Sequence, residues 1–195
     1  MPLYRLPLLL LALVLVCACP PRRGPSDDDD STVEWEEECE GSDPLPAVCI
    51  ELAPLPSFSL AEAAEGISIP YVVRVREDVP NVVAWPQDAG ACGVPGESGL
   101  ILFERLNGGD QSYCICDEGE CLEPEFNPTT LSAGEWTREF TWSGRNWAGP
   151  SDTGNPLGAP FPPGVYTVTV SSVGSVNEEV FVVEGQTTLT LTDEP

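Results

Sequence analysis

The residues best suited to chemistry in this chain are its eight cysteines, because the sequence contains no histidine. Without histidine, neither a Ser-His-Asp triad nor a Cys-His pair can form, and zinc sites that need an imidazole are excluded as well. The abundant Asp and Glu residues do not occur in a motif that would separate the pKa values of an acid and a base. The sequence therefore predicts a protein that is not an enzyme and that uses no cofactor.

Six cysteines lie downstream of residue 19 and are predicted to form disulfides in an exported chain. They are Cys39, Cys49, Cys92, Cys114, Cys116 and Cys121. We expect Cys39 to pair with Cys49 and the other four to pair among themselves. A zinc site formed by those four is the alternative. Their C-x-C-x4-C spacing differs from the C-x2-C pairs of zinc ribbons, so we expect no metal.

Residues 1–18 are predicted to be a cleaved signal peptide. Arg5 precedes an unbroken apolar run from Leu6 to Val16, which is the arrangement of a secretory leader. A helix of this run would be about 16 Å long. Because the hydrocarbon core of a bilayer is about 30 Å thick, the run is too short to span it.

The end of this leader, Val16-Cys17-Ala18-Cys19, resembles the lipobox of bacterial lipoproteins, in which an aliphatic and a small residue precede the lipidated cysteine. The resemblance implies that Cys19 carries a diacylglycerol thioether and an acylated amino terminus, with palmitate-type chains that hold the protein in a membrane. Pro20 is not the aspartate associated with inner-membrane retention in some bacteria, so we expect an outer-membrane lipoprotein. The alternative is cleavage after Ala18 and a secreted or periplasmic soluble protein.

Residues 19–66 are predicted to form an acidic, largely disordered tether. The chain has 8 Lys+Arg and 32 Asp+Glu, a formal charge of −24, and no basic residue between Gly24 and Val73. Like charges such as those of Asp27–Asp30 repel one another and keep a chain extended. The run lacks the spacing of a calcium loop, which favours a solvated spacer over a calcium site. The negative field also makes nucleic acid an unfavourable partner.

A short helical turn is predicted near the end of this tether. Ser59 and Glu62 have the spacing of a capping box, in which each side chain binds a backbone N–H of the other residue. Gly66 follows at the point where such a turn would end.

Residues 67–195 are predicted to form an all-β domain of about seven or eight antiparallel strands. From Tyr71 to Arg76 apolar and basic residues alternate, which is typical of a strand with one buried face. Further strands are predicted at Asn81–Trp85, Leu100–Leu106, Gln111–Cys116, Trp136–Trp142, Val165–Val170, Glu179–Val183 and Thr187–Thr192. Asn107–Asp110 predicts a hairpin turn, and Glu184–Gln186 predicts a turn between the last two strands.

One segment has a more specific pattern. It consists of L-x-x-G-E from Leu131, a strand ending in Trp142, a long loop, and P-P-G-x-Y-T-V ending at Val168. This order resembles the Ig-like domain of the bacterial intracellular proteinase inhibitor family and the Ig-like module of flagellar hook-capping proteins. The resemblance implies an Ig-like β-sandwich. We expect Trp142 and Tyr166 to pack in its core, together with Trp136 and Phe140 on the same strand face as Trp142.

Residues 143–163 are predicted to be a long loop without regular structure. Loops above about 15 residues are uncommon in compact domains and are often functional. The candidate binding residues in this loop are Asn146, Trp147, Asp152, Thr153 and Asn155. The alternative is an insertion that packs over the end of the sandwich.

Together these features predict a lipid-anchored bacterial envelope protein whose Ig-like domain is a non-catalytic binding or structural module. Its partners would be the membrane, through Cys19, and a protein. The alternative, implied by the family resemblance, is a proteinase inhibitor that presents a rigid loop to a protease. The sequence does not indicate an oligomeric state.

Overall fold

The computed structural model describes residues 41–88, 91–109, 111–114, 127–147 and 156–193, all within a compact unit that spans Val33–Pro195. In these ranges strands dominate, so the predicted all-β class is confirmed. The helix α1 is Leu60–Glu65. The strands are β1 (Val48–Leu52), β2 (Ser57–Ser59), β3 (Ile67–Val75), β4 (Val79–Ala84), β5 (Gln87–Asp88), β6 (Ala91–Cys92), β7 (Phe103–Gly108), β8 (Gln111–Cys114), β9 (Thr129–Leu131), β10 (Gly134–Trp142), β11 (Arg145–Trp147), β12 (Leu157–Pro160), β13 (Gly164–Val176) and β14 (Glu179–Thr192).

Two sheets pack face to face as a β-sandwich. The first contains three antiparallel strands in the order β1-β3-β10. The second is built around β13, which pairs with β14 over its whole length, with β7 near its middle and with β4 at its end. Strands β2, β8 and β9 extend this sheet. The predicted antiparallel sandwich is therefore confirmed, although β2 runs parallel to β14.

The hydrophobic core lies between the two sheets. The alternation predicted for β3 places Tyr71, Val73 and Val75 in this core, each at most 2% exposed. On the opposite face of β3, the guanidinium of Arg74 forms ion pairs with Glu51 of β1 and Glu135 of β10. One outward cation thus links all three strands of the first sheet.

Aromatic side chains form a cluster within the core. Trp142 and Tyr166, both predicted to be core residues, are buried. Phe161 packs edge-on against Trp142, with ring centroids 5.0 Å apart, an arrangement that contributes about 0.5–1.5 kcal/mol beyond the burial of area. The hydroxyl of Tyr166 donates a 2.6 Å hydrogen bond to the carbonyl oxygen of Pro162, which fixes the entry into β13.

The predicted end of the tether at residue 66 is wrong. Strand β1 pairs with β3, β2 pairs with β14, and Leu45 is 1% exposed in the core. The acidic residues here take outward positions, as Glu51 does, so the overall acidity concealed the buried apolar residues of β1. The signal peptide at residues 1–18 and the first part of the tether, residues 19–40, lie outside the described residues and remain predictions.

Strand β14 corrects a second prediction. In place of two strands with a turn at Glu184–Gln186, the structure has one continuous strand in which Gly185 pairs with Val170. A Cβ at Gly185 would overlap the carbonyl oxygen of Ile50. This glycine therefore permits the close crossing of β1 over β14 and does not make a turn.

Residues 143–163 are not a loop without regular structure. Arg145 pairs with Pro160 and Trp147 pairs with Leu157, so β11 and β12 form an antiparallel ribbon. Strands of three and four residues, the second with Gly and Pro, are too short to show the alternation on which the sequence prediction of strands depends.

Two predicted turns are confirmed. Gly108 pairs with Gln111 across the predicted β7–β8 hairpin.

At α1, the backbone N–H of Ser59 donates a 2.7 Å hydrogen bond to Oε2 of Glu62, and the N–H of Glu62 donates to Oγ of Ser59 at 3.2 Å. Gly66 ends the helix with a φ of 113°, which glycine tolerates. The backbone N–H and then the hydroxyl of Ser59 hold the pKa of Glu62 below its ordinary value of 4.5.

The capping box makes a testable prediction about pH. Because the folded pKa of Glu62 is depressed, its carboxylate stabilises the fold above the unfolded pKa of 4.5, and this contribution is lost as the pH falls through the folded pKa. We expect Glu62→Gln to lower the free energy of unfolding at pH 7 and to match the wild type in acid. Urea unfolding across pH, with Glu65→Gln at the other end of α1 as the control, measures this. A pH-independent difference would contradict the assignment.

Candidate functional site

A cavity of about 340 Å³ lies where the two sheets meet the segment 92–96. From the first sheet it is lined by Tyr71 of β3 and by Arg138 and Glu139 of β10. From the second sheet it is lined by Glu104 of β7. Charged side chains of both sheets are thus brought to one cavity in a sandwich that is otherwise packed with apolar residues.

Arg138 is an inward-facing cation. Successive residues of a strand point to opposite faces, so Arg138 shares its face with Trp136 and Phe140, which pack in or against the core. Its partner across the β3–β10 pair is Tyr71. A guanidinium at this position interrupts the apolar row and directs charge toward the space between the sheets.

Glu104 is the matching inward-facing anion. It pairs with Val170 of β13, and two residues later Leu106 pairs with Val168. All three of these apolar residues belong to the core, so Glu104 points toward the core as well. The hydroxyl of Tyr71 donates a 2.9 Å hydrogen bond to Oε1 of Glu104. This bond joins the first sheet to the second.

The environment keeps the phenol of Tyr71 protonated. Burial raises the pKa of Tyr71 most, the nearby charge of Glu104 and the hydrogen bond to it raise that pKa further, and Arg138 opposes them. The phenol is therefore a hydrogen-bond donor over the ordinary pH range.

The guanidinium of Arg138 is held by backbone geometry. A Cβ on Gly96 would overlap Nη1 of Arg138, so the guanidinium lies directly against the backbone of the segment 92–96. Among the residues that the structure describes, Arg138 has neither an ion pair nor a hydrogen bond. The N–H groups of this cation remain available to a ligand.

Asn146, the residue of the predicted binding loop whose side chain is described, does not line this cavity. Asn146 lies on β11 and is partly buried, and the backbone of Trp147 ends the same strand. The other three, Asp152, Thr153 and Asn155, lie outside the described residues. The predicted binding role of these loop residues therefore remains a prediction.

The predicted cysteine sites are only partly within the described ranges. Cys49 on β1 and Cys92 on β6 are each disulfide-bonded, and Cys92 lines the cavity. The backbone of Cys114 ends β8. The predicted lipidation site Cys19 and the predicted disulfide residues Cys39, Cys116 and Cys121 lie outside the described residues, so the predicted pairing of the six cysteines remains a prediction. In the described part of the chain, no group of three or more Cys, Asp or Glu residues could hold a metal ion.

Sequence reasoning missed the two inward charges. The aromatic residues of β10 predict its alternation. Arg138 lies on the same face as these residues, but it was not predicted to be a site residue. Glu104 likewise lies within the predicted strand Leu100–Leu106 and was not predicted to be a site residue. The signal that would have found both is a charged residue on the buried face of an alternating strand. Burying a neutral polar group without a hydrogen bond costs about 2–7 kcal/mol, and burying an unpaired charge costs more, so such a residue calls for an explanation.

Comparisons with known proteins do not assign the chain to a family. No model of a known protein family matches it, and no curated protein matches it. Among solved structures, it is similar to the CooA pilin subunit from enterotoxigenic Escherichia coli, with 15% sequence identity, a TM-score of 0.27, and coverage of 75% of this chain and 99% of the pilin chain. Fold and cavity together define an all-β sandwich with a charged site between its sheets.

The bond between the sheets can be tested by mutation. We expect Tyr71→Phe to lower the free energy of unfolding by about 1–3 kcal/mol, because the buried phenol donates to a charged acceptor. Tyr113→Phe is the matched control, since the hydroxyl of this buried tyrosine has no hydrogen bond to any other residue that the structure describes. Denaturant unfolding at pH 7 measures both variants, and equal losses would contradict a special role for Tyr71.

Proposed function

We propose that the chain is a lipid-anchored bacterial envelope protein whose β-sandwich, an Ig-like variant, is a non-catalytic binding module. The observation that carries the binding role is Arg138, an inward guanidinium that lines a cavity and has no ion pair with the described chain. A cation in the buried phase of a strand lowers the stability of a core. Its placement beside an open cavity is best explained by a ligand that it binds.

The membrane anchor rests on the leader. The apolar run from Leu6 to Val16 and the lipobox pattern that ends at Cys19 favour export and lipidation. The disulfide-bonded Cys49 and Cys92 agree with an oxidising compartment. Among the described residues no helix is long and apolar enough to cross a bilayer. In this proposal the acyl chains on Cys19 hold the protein, in the outer membrane.

A binding role is favoured over catalysis. The chain has no histidine, and the burial of Tyr71 beside Glu104 raises its pKa, so this phenol stays protonated. The phenol of Tyr71 is therefore not prepared to act as a nucleophile or base near neutral pH.

The proposed anchor predicts a clear effect of one substitution. We expect Cys19→Ala to abolish labelling of the protein with radioactive palmitate and to release it from the membrane fraction, because the thioether can no longer form. Cys17→Ala is the matched control and should leave both unchanged, since Cys17 is removed with the leader. Globomycin, which blocks the lipoprotein signal peptidase, should cause the precursor to accumulate. Normal labelling of Cys19→Ala would overturn the anchor.

The alternative, a proteinase inhibitor, has its own test. The antiparallel pairing of β11 and β12 holds both ends of the intervening segment, which an inhibitor could present to a protease cleft. The full chain, purified in detergent, is assayed against a panel of serine proteases and metalloproteases. We expect no inhibition at micromolar concentrations. Inhibition that is lost when residues 149–155 are replaced by a short Gly-Ser linker would favour the inhibitor over the binding module.

A further inference from the structure

We propose that the cavity beside Tyr71 binds a small zwitterion, the size of an apolar amino acid or dipeptide. Its carboxylate would pair with Arg138, and its ammonium group would lie toward the carboxylate of Glu104. The inference rests on the proposed binding function and adds the chemical class of the ligand. Four observations support it: the cation, the anion, the net charge of the protein, and the size and apolar rim of the cavity.

The cation specifies a carboxylate. A guanidinium presents a planar fork of N–H donors that matches the two oxygens of a carboxylate. The backbone at Gly96 limits the positions that the guanidinium of Arg138 can take. A donor group that is positioned before binding loses less conformational entropy when the ligand arrives.

The anion specifies a positive group on the same ligand. The carboxylate of Glu104 lines the cavity together with the guanidinium of Arg138, so one anion and one cation face the same space. Oε1 of Glu104 accepts a 2.9 Å hydrogen bond from the hydroxyl of Tyr71, which orients this carboxylate. A carboxylate accepts several hydrogen bonds, so it can bind an ammonium group in addition.

The charge of the whole protein excludes ligands that carry several negative charges. The formal charge is −24, and the resulting field repels phosphate esters and other multiply charged anions during their approach. A zwitterion has no net charge and is not repelled. It can therefore present a carboxylate to Arg138 where a simple anion is disfavoured.

The size and the rim of the cavity specify a short, apolar ligand. A volume of about 340 Å³ falls at the low end of the range of ligand pockets, about 300–1,000 Å³. Val94, Pro95 and Leu102 contribute an apolar part of the lining. Val94 is 66% exposed, and an apolar ligand side chain would cover it.

The test is isothermal titration calorimetry with the full mature chain in detergent. The probes are leucine, leucinamide, which lacks the carboxylate, N-acetylleucine, which lacks the ammonium group, and the dipeptide Leu-Leu. We expect leucine or Leu-Leu to bind with a dissociation constant in the millimolar range or below. Each blocked analogue should bind more weakly by a factor of about ten or more. Tighter binding of Leu-Leu than of leucine would identify a peptide as the source, and the reverse would identify a free amino acid.

Three variants assign the effect to the proposed groups. Arg138→Gln should remove the preference for leucine over leucinamide, while Arg76→Gln, at an exposed arginine of the same chain, should retain it. Gly96→Ala should weaken binding with little change in melting temperature, because the added methyl group displaces only the flexible end of Arg138. Glu104→Gln should reduce the preference for leucine over N-acetylleucine.

Two results would overturn the proposal. One is the absence of binding by all four probes at millimolar concentration with a folded protein, as shown by its melting transition. The other is equal binding of leucine, leucinamide and N-acetylleucine. Either result, with palmitate labelling of Cys19 intact, would reject the ligand class and leave the anchor standing. If the wild-type chain were not labelled with palmitate but still bound leucine, the anchor would be rejected and the ligand class would stand.

Discussion

The hydrogen bond from Tyr71 to Glu104 is the interaction on which the site depends. It joins two sheets whose facing surfaces are otherwise apolar, and it gives the inward carboxylate a donor that does not ionise in the ordinary pH range. A buried carboxylate without such a donor would be neutralised or would force the sheets apart. The bond therefore allows a charged group to lie at the margin of the core, and it fixes the separation of the sheets where the cavity opens.

The cavity also marks a place where the core is less completely packed. An aliphatic residue at position 138 would extend the row formed by Trp136 and Phe140 and would bury more apolar area. The guanidinium instead needs contact with water or a ligand, so the core cannot close over it. The adjacent segment 92–96 is held in part through Cys92, which is disulfide-bonded.

How much could be read from the sequence depended on whether the pattern was local. The alternation of β3 and β10 and the capping box at Ser59 were predicted correctly, because each is set by residues a few positions apart. Gly185 was assigned to a turn, since its contact with Ile50 joins distant parts of the chain. Strand β1 was assigned to the tether for the same reason: its partner β3 lies beyond a helix, and the acidic residues around it hid its buried face. The cavity could not be predicted, because Tyr71, Glu104 and Arg138 lie on three different strands. They come together only through the register of those strands and the packing of the two sheets.

The hairpin of β13 and β14 has a consequence for the order in which the chain folds. These strands are joined by Asn177 and Glu178, both with positive φ, and their pairing runs from Val176–Glu179 back to Gly164–Leu191. Contacts of this kind are short in sequence and close in microseconds, about 1–10 µs for a hairpin. The pairing of Phe58 with Leu191 spans most of the domain, and contacts so distant in sequence form late because the loop between them must be closed first. Strand β2 is therefore expected to join late the sheet that β13 and β14 have begun.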